Sequence, residues 1–477
     1  MPINTLYSFL KSAVPYSMAL FVFYACSTNS IAENDKGEQI DYWLTSADGH
    51  ELLQKQASIF FDGSVKNDQL ITINPDARFQ TVDGFGFTLT GGSVQVLNKL
   101  SSQEKNALLQ ELFGFGDKDI RINYLRIGIG ASDLDAEVFS YDDLKEGETD
   151  PELKKFSMAK SKELITILKQ ILNINPDIKI IATPWSAPVW MKDNGKSIGG
   201  SLKPEFYGIY ARYFVKYIQE MAKLGIPIDA VTPQNEPLHP GNNPSMYMSA
   251  EQQKIFIRDY LGPEFRKNAI DTKIVVYDHN CNQPEYPISI LDDPEARQYI
   301  DGSAFHLYEG DISALTTVHN AYPDKNLYFT EQWTGAKGTF AEDLIWHTKN
   351  VIIGSMNNWS KTALEWNLAN DEYFRPHTPG GCTECKGAIT ITENGNIQRN
   401  VGYYIIAHAS KFIPSNSVRI GVQSIPGLDA VAFHTPQGKT VLIILNSTKN
   451  EKRFTLAFRQ KTASAYLAPE TVSTFIF

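Results

Sequence analysis

Two glutamates carry the chemistry this chain is equipped for: Glu236 within Thr232-Pro233-Gln234-Asn235-Glu236-Pro237, and Glu331 within Tyr328-Phe329-Thr330-Glu331-Gln332-Trp333. Each follows a short apolar run that reads as a buried parallel strand, and each stands among aromatics and amides rather than lysines or arginines. Two carboxyls brought to one cleft can divide the work of acetal hydrolysis: one protonates the leaving oxygen while the other attacks or stabilises the sugar carbon. A pair that retains configuration needs carboxyls about 5–5.5 Å apart, one protonated and one ionised, so their surroundings must differ. Asn235 directly precedes Glu236, where an amide can hold a sugar 2-hydroxyl, which makes Glu236 the candidate acid/base. Glu331, the candidate nucleophile, must stay ionised and needs a cation or hydrogen-bond donors beside it. Arg126 in Tyr124-Leu125-Arg126-Ile127-Gly128 suits that task, and equally suits a structural ion pair. His306 and Tyr308, in Phe305-His306-Leu307-Tyr308, are candidate donors whose alternative role is to satisfy core hydrogen bonds.

Several further side chains suit a sugar. Trp185 in Thr183-Pro184-Trp185-Ser186-Ala187-Pro188 and Trp366 in Glu365-Trp366-Asn367 offer indole faces for the apolar side of a pyranose, or else serve as packing. Asp133 can accept from two hydroxyls at once, or cap a loop. Trp333, beside Glu331, suits the leaving-group side. Asp278-His279-Asn280-Cys281 has the look of a ligand cluster but reads as a polar strand-end loop, and no metal site is expected. Gly84-Phe85-Gly86 and Gly91-Gly92 lack dinucleotide-binding spacing and read as tight turns.

The elements that must position these groups follow a βα rhythm from about residue 81 to 367. Eight strands are expected, at 82–88, 124–129, 178–183, 230–235, 274–278, 303–306, 327–331 and 363–367, with helices such as 101–113, 161–173, 204–224 and 340–357 between them. Eight such repeats specify a (β/α)8 TIM barrel, placing Glu236 and Glu331 after the fourth and seventh strands at the C-terminal mouth. After residue 401 the pattern changes to period-two segments broken by turns, at 418–422, 430–434, 440–445, 453–457, 463–467 and 472–477. These read as a side β-sandwich that strands at 58–62 and 69–74 complete. The expected organisation is therefore sandwich strands over 57–80, a barrel over 81–400 and the rest of the sandwich over 401–477.

A net charge of -10, from 54 acidic and 44 basic residues, with no basic stripe, argues against nucleic acid as a partner. Residues 1–26 hold Lys11, an apolar stretch over 13–25 and then Cys26, and that stretch is short for a membrane span. It reads as an export signal, with 27–56 as a polar tether and lead-in. Ala25-Cys26-Ser27 resembles a lipoprotein processing site, which makes Cys26 the lipidation candidate and a lipid anchor the expected membrane contact; ordinary secretion is the alternative. The expected location is periplasmic or cell-surface. Cys382 and Cys385, in Gly380-Gly381-Cys382-Thr383-Glu384-Cys385, suit a small loop disulfide in such a compartment; zinc would need two further ligands.

At these residues the chain resembles glycoside hydrolase family 30, which contains the glucosylceramidases and β-1,6-glucanases. The resemblance runs from about Phe79 to the C-terminus through Asp83-Gly84-Phe85-Gly86, Leu125-Arg126-Ile127, Ala182-Thr183-Pro184-Trp185-Ser186-Ala187-Pro188, Thr232-Pro233-Gln234-Asn235-Glu236-Pro237, Phe329-Thr330-Glu331 and Glu365-Trp366-Asn367-Leu368. It implies a (β/α)8 barrel with a side β-sandwich, no cofactor and a retaining mechanism, with Glu236 as acid/base and Glu331 as nucleophile. It also implies that Asp133, Trp185, Asn235, His306 and Trp366 surround one glucosyl unit. Glucosylceramidase-like members usually carry an acidic residue where this chain has Phe87-Thr88-Leu89-Thr90, and the turn from Gly380 to Cys385 looks more like the β-1,6-glucanase branch. The expected substrate is thus β-1,6-glucan or its oligosaccharides. A glucosylceramidase-like or broad β-glucosidase is the alternative, and a non-catalytic glycan-binding protein the alternative of another class.

Overall fold

In a parallel barrel strand, alternate residues point to the axis, so the inward set can be read two residues at a time. The computed structural model, which describes residues 37–63 and 69–477, closes eight parallel strands into a barrel in chain order. They are Gly84–Thr88, Tyr124–Gly128, Lys179–Thr183, Ala230–Val231, Lys273–Cys281, Ile300–Gly310, Asn326–Glu331 and Ser360–Asn367. Seven of them give one inward residue each to a closed apolar layer: Tyr124, Ile181, Ala230, Val275, Ala304, Tyr328 and Leu364. All eight expected strands are present. The fourth is the shortest because Pro233 has no N–H to continue the ladder after Thr232 donates to the Ala182 carbonyl.

Helices cover the barrel where the sequence is amphipathic. Ser102–Phe113 starts at a capping box between Ser101 and Glu104 and buries Leu108, Leu109, Leu112 and Phe113. Lys162–Ile174 buries Ile167, Leu168 and Ile171, one stripe at helical spacing. The expected helix at 204–224 is one 3-10 turn, Pro204–Phe206, running into Tyr207–Lys223. The one at 340–357 passes from Phe340–His347 through a π-helical stretch, Thr348–Gly354, into Ser355–Asn357.

Two boundaries differ from expectation. Val401–Ser410, expected to open the sandwich, is a helix buried along its whole length and packed against the first barrel strand. It is apolar all round, so it carries no amphipathic stripe to mark it as a helix. At the other end, residues 39–46, expected as part of a polar tether and lead-in, form Gln39–Ser46, an eight-residue strand that pairs with Thr471–Ile476, with Trp43 opposite Thr474. The expected strand at 58–62 shrinks to Ile59–Phe60, and that at 69–74 lengthens into Leu70–Thr81.

All six C-terminal strands are present: Val418–Gln423, Leu428–His434, Thr440–Asn446, Lys452–Phe458, Lys461–Leu467 and Thr471–Ile476. With the N-terminal strands they enclose their own core, into which Ile71, Ile420, Leu442, Ile444, Phe454 and Phe475 point. Val441, Ile443 and Leu445, the alternating residues of the same central strand, join the barrel's core instead. That strand is buried on both faces, which welds sandwich to barrel. Residues 1–36, with the expected signal, tether start and Cys26, lie outside the described residues. Among those described, no helix is long and apolar enough to cross a membrane.

Candidate active site

Two residues beyond the apolar layer, the same alternation turns polar: Tyr124 leads to Arg126, Ala230 to Thr232, Ala304 to His306, Tyr328 to Thr330 and Leu364 to Trp366. The fifth strand breaks step. Ala304 pairs with Tyr277 and Phe305 with His279, so Asp278 is an extra residue, and Tyr277 and Asp278 both take positive φ (75 and 63). This bulge turns Asp278 into the barrel. A second register shift, between Phe305 and His306, brings Glu331 opposite His306.

Asp278 is the hub. Its Oδ2 accepts from Arg126 Nη2 at 2.9 Å and Thr232 Oγ1 at 2.8 Å; its Oδ1 accepts from Thr330 Oγ1 at 2.7 Å and faces His306 Nε2 at 3.0 Å. Burial opposes its charge, but the Arg126 guanidinium and His306 hold its carboxyl far below the ordinary range. Arg126, wholly buried, fans from this hub to the cleft: Nη1 reaches Glu331 Oε2 at 2.5 Å and Nη2 reaches Asn235 Oδ1 at 2.6 Å. The rings of Trp185 and Trp366 lie 4.8 and 5.8 Å from its guanidinium carbon. A fixed cation thus touches both the candidate nucleophile and the amide beside the candidate acid.

Glu236 takes a left-handed backbone (φ 43), and its N–H donates to the Asp278 carbonyl at 2.9 Å. Its Oε1 lies 3.2 Å from His306 Nδ1 and 3.7 Å from His279 Nδ1. Glu331 Oε1 accepts from Tyr308 Oη at 2.9 Å and lies 3.7 Å from that same His306 Nδ1. One imidazole nitrogen therefore touches both carboxyls, and their Oε1 atoms are at most about 7 Å apart, below nearly all of the 6.5–9.5 Å range of inverting pairs.

Electrostatically the site is one coupled unit. Burial disfavours charge on His306, but Glu331, Asp278 and Glu236 outweigh it and raise the imidazole to about 9. Burial also opposes charge on Glu236, yet His279 and His306 draw it below the ordinary carboxylate range. Glu331 is raised, by burial and by the charge of Glu236, against the pull of His306, Arg126 and Tyr308. In the sugar-free site the mobile proton thus sits on His306, between the two glutamates.

The cleft above holds about 370 Å³ and is lined by Asp133, Trp185, Trp333 and Trp366 together with both carboxyls. Trp185 and Trp366 are almost fully buried, their ring centroids 5.3 Å apart, so only their edges form the floor. Asp133 Oδ2 accepts from the Cys382 N–H at 3.2 Å, and burial, then the charge of Glu331, pushes its carboxyl up to about 7. Cys382 and Cys385 form the expected disulfide, and the loop it closes makes one wall. Gly381 is required in that wall: a Cβ there would lie 2.3 Å from the Asp133 carbonyl oxygen. Every candidate residue among those described converges on this cleft or on Arg126 beneath it. Asp278 and His279, read from sequence as part of a polar strand-end loop, instead lie within the fifth barrel strand and belong to the site, and Thr232 and Thr330 are members not singled out from sequence. The signal was a carboxylate at the end of a fully buried strand, where an unpaired charge is too costly to be incidental.

Comparison with known proteins gives the family and agrees with the fold. Residues 82–413 match the glycosyl hydrolase family 30 TIM-barrel domain and residues 416–475 the family 30 β-sandwich domain. An endo-1,6-β-D-glucanase of Neurospora crassa is 34% identical over 434 residues, covering 86% of this chain and 88% of its own. A lysosomal acid glucosylceramidase of Mus musculus is 28% identical over 417 residues, covering 81% and 79%. A solved structure of an endo-β1,6-glucanase superposes with a TM-score of 0.86 at 35% identity, covering 92% of this chain and 99% of that one.

Proposed function

The chain belongs to glycosyl hydrolase family 30, and from that premise we propose that it is a retaining β-glycosidase acting on β-1,6-linked glucan or its oligosaccharides. One observation carries the mechanism: Glu236 and Glu331 meet at a single imidazole nitrogen while Arg126 grips only Glu331. Glu331, held by a permanent cation and by Tyr308, attacks the anomeric carbon. Its negative charge is the largest influence keeping the proton on His306. As the new bond consumes that charge, His306 becomes more acidic and passes its proton across the 3.2 Å contact to Glu236, which delivers it to the departing oxygen. In the second half, Glu236 takes a proton from water as the hydroxide adds to the anomeric carbon and the glycosyl–Glu331 bond breaks, a second inversion that gives net retention, and the proton returns to His306 once Glu331 is again charged. Asn235, fixed by Arg126, is set to hold the 2-hydroxyl, and Asp133 to accept from sugar hydroxyls on the opposite side.

The preference for a β-1,6 linkage is supported by the endo-1,6-β-D-glucanase relative and by the disulfide wall of the cleft. Export and attachment through Cys26 fit an enzyme that meets polysaccharide outside the cell, and rest on the apolar stretch over 13–25 and the Ala25-Cys26-Ser27 run. Incubation with pustulan, laminarin, gentiobiose and an aryl β-glucoside tests the reading. Pustulan should be cleaved fastest; gentiobiose or the aryl glucoside fastest would mean a simple β-glucosidase, and binding without released sugar a lectin-like protein.

A further inference from the structure

The two atoms of the proton relay, Glu236 Oε1 and His306 Nδ1, share their corner of the site with a third ligand atom, His279 Nδ1, to which the mechanism gives no step. Glu236 Oε1, His279 Nδ1 and His306 Nδ1 all fall within 4.8 Å of one another. The two edges that meet at the carboxylate oxygen measure 3.2 and 3.7 Å. A tetrahedral zinc site with bonds of 2.0–2.1 Å has ligand-to-ligand edges of about 3.3 Å, which the two edges at the carboxylate bracket. His279 Nδ1 is buried and has no hydrogen-bond partner, and the whole residue is only 7% exposed. A polar atom hidden from water without a partner carries a real cost, so it points to a ligand that comes and goes. His306 is oriented from behind: its Nε2 faces Asp278 Oδ1 at 3.0 Å, the carboxylate–imidazole relay found behind metal-ligating histidines, and a cation binding at Nδ1 displaces the proton held there. The rings stand perpendicular on the fifth and sixth barrel strands, and Glu236 and His279 line the cleft.

We propose that Glu236, His279 and His306 form an inhibitory site for one divalent cation of the zinc and copper class. Two imidazoles and one carboxylate suit a borderline cation; calcium and magnesium, which need six or more oxygens or a nearly complete water shell, find too few donors here. A bound cation occupies the Glu236 oxygen that exchanges a proton with His306 and stands where the leaving group must sit. It therefore blocks proton delivery and competes with sugar. The inhibition rests on the reading of Glu236 as the acid, whereas the binding does not.

The test titrates zinc chloride into the full chain, freed of metal with a chelator, by isothermal calorimetry, alongside cobalt chloride followed by its visible absorption. One zinc per chain is expected, with cobalt bands of tetrahedral intensity, and magnesium chloride should give no heat. His279→Ala should weaken zinc binding about 100-fold or more. His279→Gln, which keeps size and polarity, should weaken it as well and guards against misfolding of the first variant. Zinc should inhibit hydrolysis of an aryl β-glucoside competitively. Zinc binding unchanged in both His279 variants, or no one-to-one binding, would overturn the site. Binding that depends on His279 yet leaves hydrolysis untouched would overturn the inhibition and, separately, the assignment of Glu236 as acid.

Discussion

Replacing Asp278 by asparagine should cripple an acid that the Asp278 carboxylate never touches. The carboxylate serves four donors, two on each oxygen. An amide has one accepting oxygen and one donating nitrogen. Arg126 can only donate, so the amide oxygen must stay on its side and the NH₂ must face His306 Nε2. That nitrogen then has to accept, so His306 gives up its Nε2 proton and is held neutral, with its single remaining proton on Nδ1 facing Glu236 Oε1. A neutral imidazole has no proton to spare at that contact, so the ionised Glu236 receives nothing to give a leaving group. General acid catalysis is worth about 10²–10⁴-fold, and a wrong tautomer imposed through an Asp-to-Asn change in a serine protease cost about 10⁴-fold. The loss here should lie in that range for a methoxyphenyl β-glucoside, whose departure needs a proton, and be far smaller for a dinitrophenyl β-glucoside, whose departure does not. Stability should fall by about 1.5–3 kcal/mol, the worth of a hydrogen bond to a charged group, because the Arg126 contact survives. The assay compares kcat/KM for the two substrates. Equal losses on both, or no loss on the methoxyphenyl compound, would show that Asp278 does not govern the acid through His306.

Other outcomes follow from the same contacts. Glu331→Gly should abolish turnover, and azide should restore it with an inverted glycosyl azide as product, identified by proton NMR. Glu236→Ala should still form the glycosyl-enzyme from dinitrophenyl glucoside and then stall, seen as a burst of phenol followed by a slow phase. Asp133 is raised to about 7 in the fold against an ordinary value of 3.8, so the stability it contributes in its protonated form is lost as pH rises through that window. The melting temperature of Asp133→Asn relative to wild type should accordingly climb from about pH 4 to about pH 7 and then level off; a gap independent of pH would contradict the burial argument. Opening the disulfide with Cys382→Ser and Cys385→Ser removes a very short loop closure, worth about 2 kcal/mol at most. Because that loop holds Asp133, KM should rise more than kcat falls, as steady-state kinetics on pustulan would show.

How far the sequence reveals the molecule depends on whether each feature repeats a period. The eight barrel strands are legible because apolar runs of Val, Ile, Leu and aromatics recur between amphipathic helices, and the catalytic layer follows from them by adding two residues. The disulfide is legible from its spacing in a glycine-flanked turn. Asp278 is hidden for a physical reason: a bulge carries it inward, and a bulge is a fault in the very alternation used to sort inward from outward. Val401–Ser410 is hidden because a helix buried on every side has no polar face. Gln39–Ser46 is hidden because Gln39, Asp41, Thr45 and Ser46 dilute its apolar members, and pairing with other strands, chiefly the last one, makes it a strand. The sharing of a proton among Glu236, His306 and Glu331 belongs to distances alone.

The central claim is that Glu331 displaces the leaving group directly and a second displacement by water follows. Proton NMR of pustulan hydrolysis, recorded within the first turnovers before mutarotation, reads this out. The account predicts that the new reducing ends appear first as the β-anomer and drift toward equilibrium; α-anomer appearing first would contradict it.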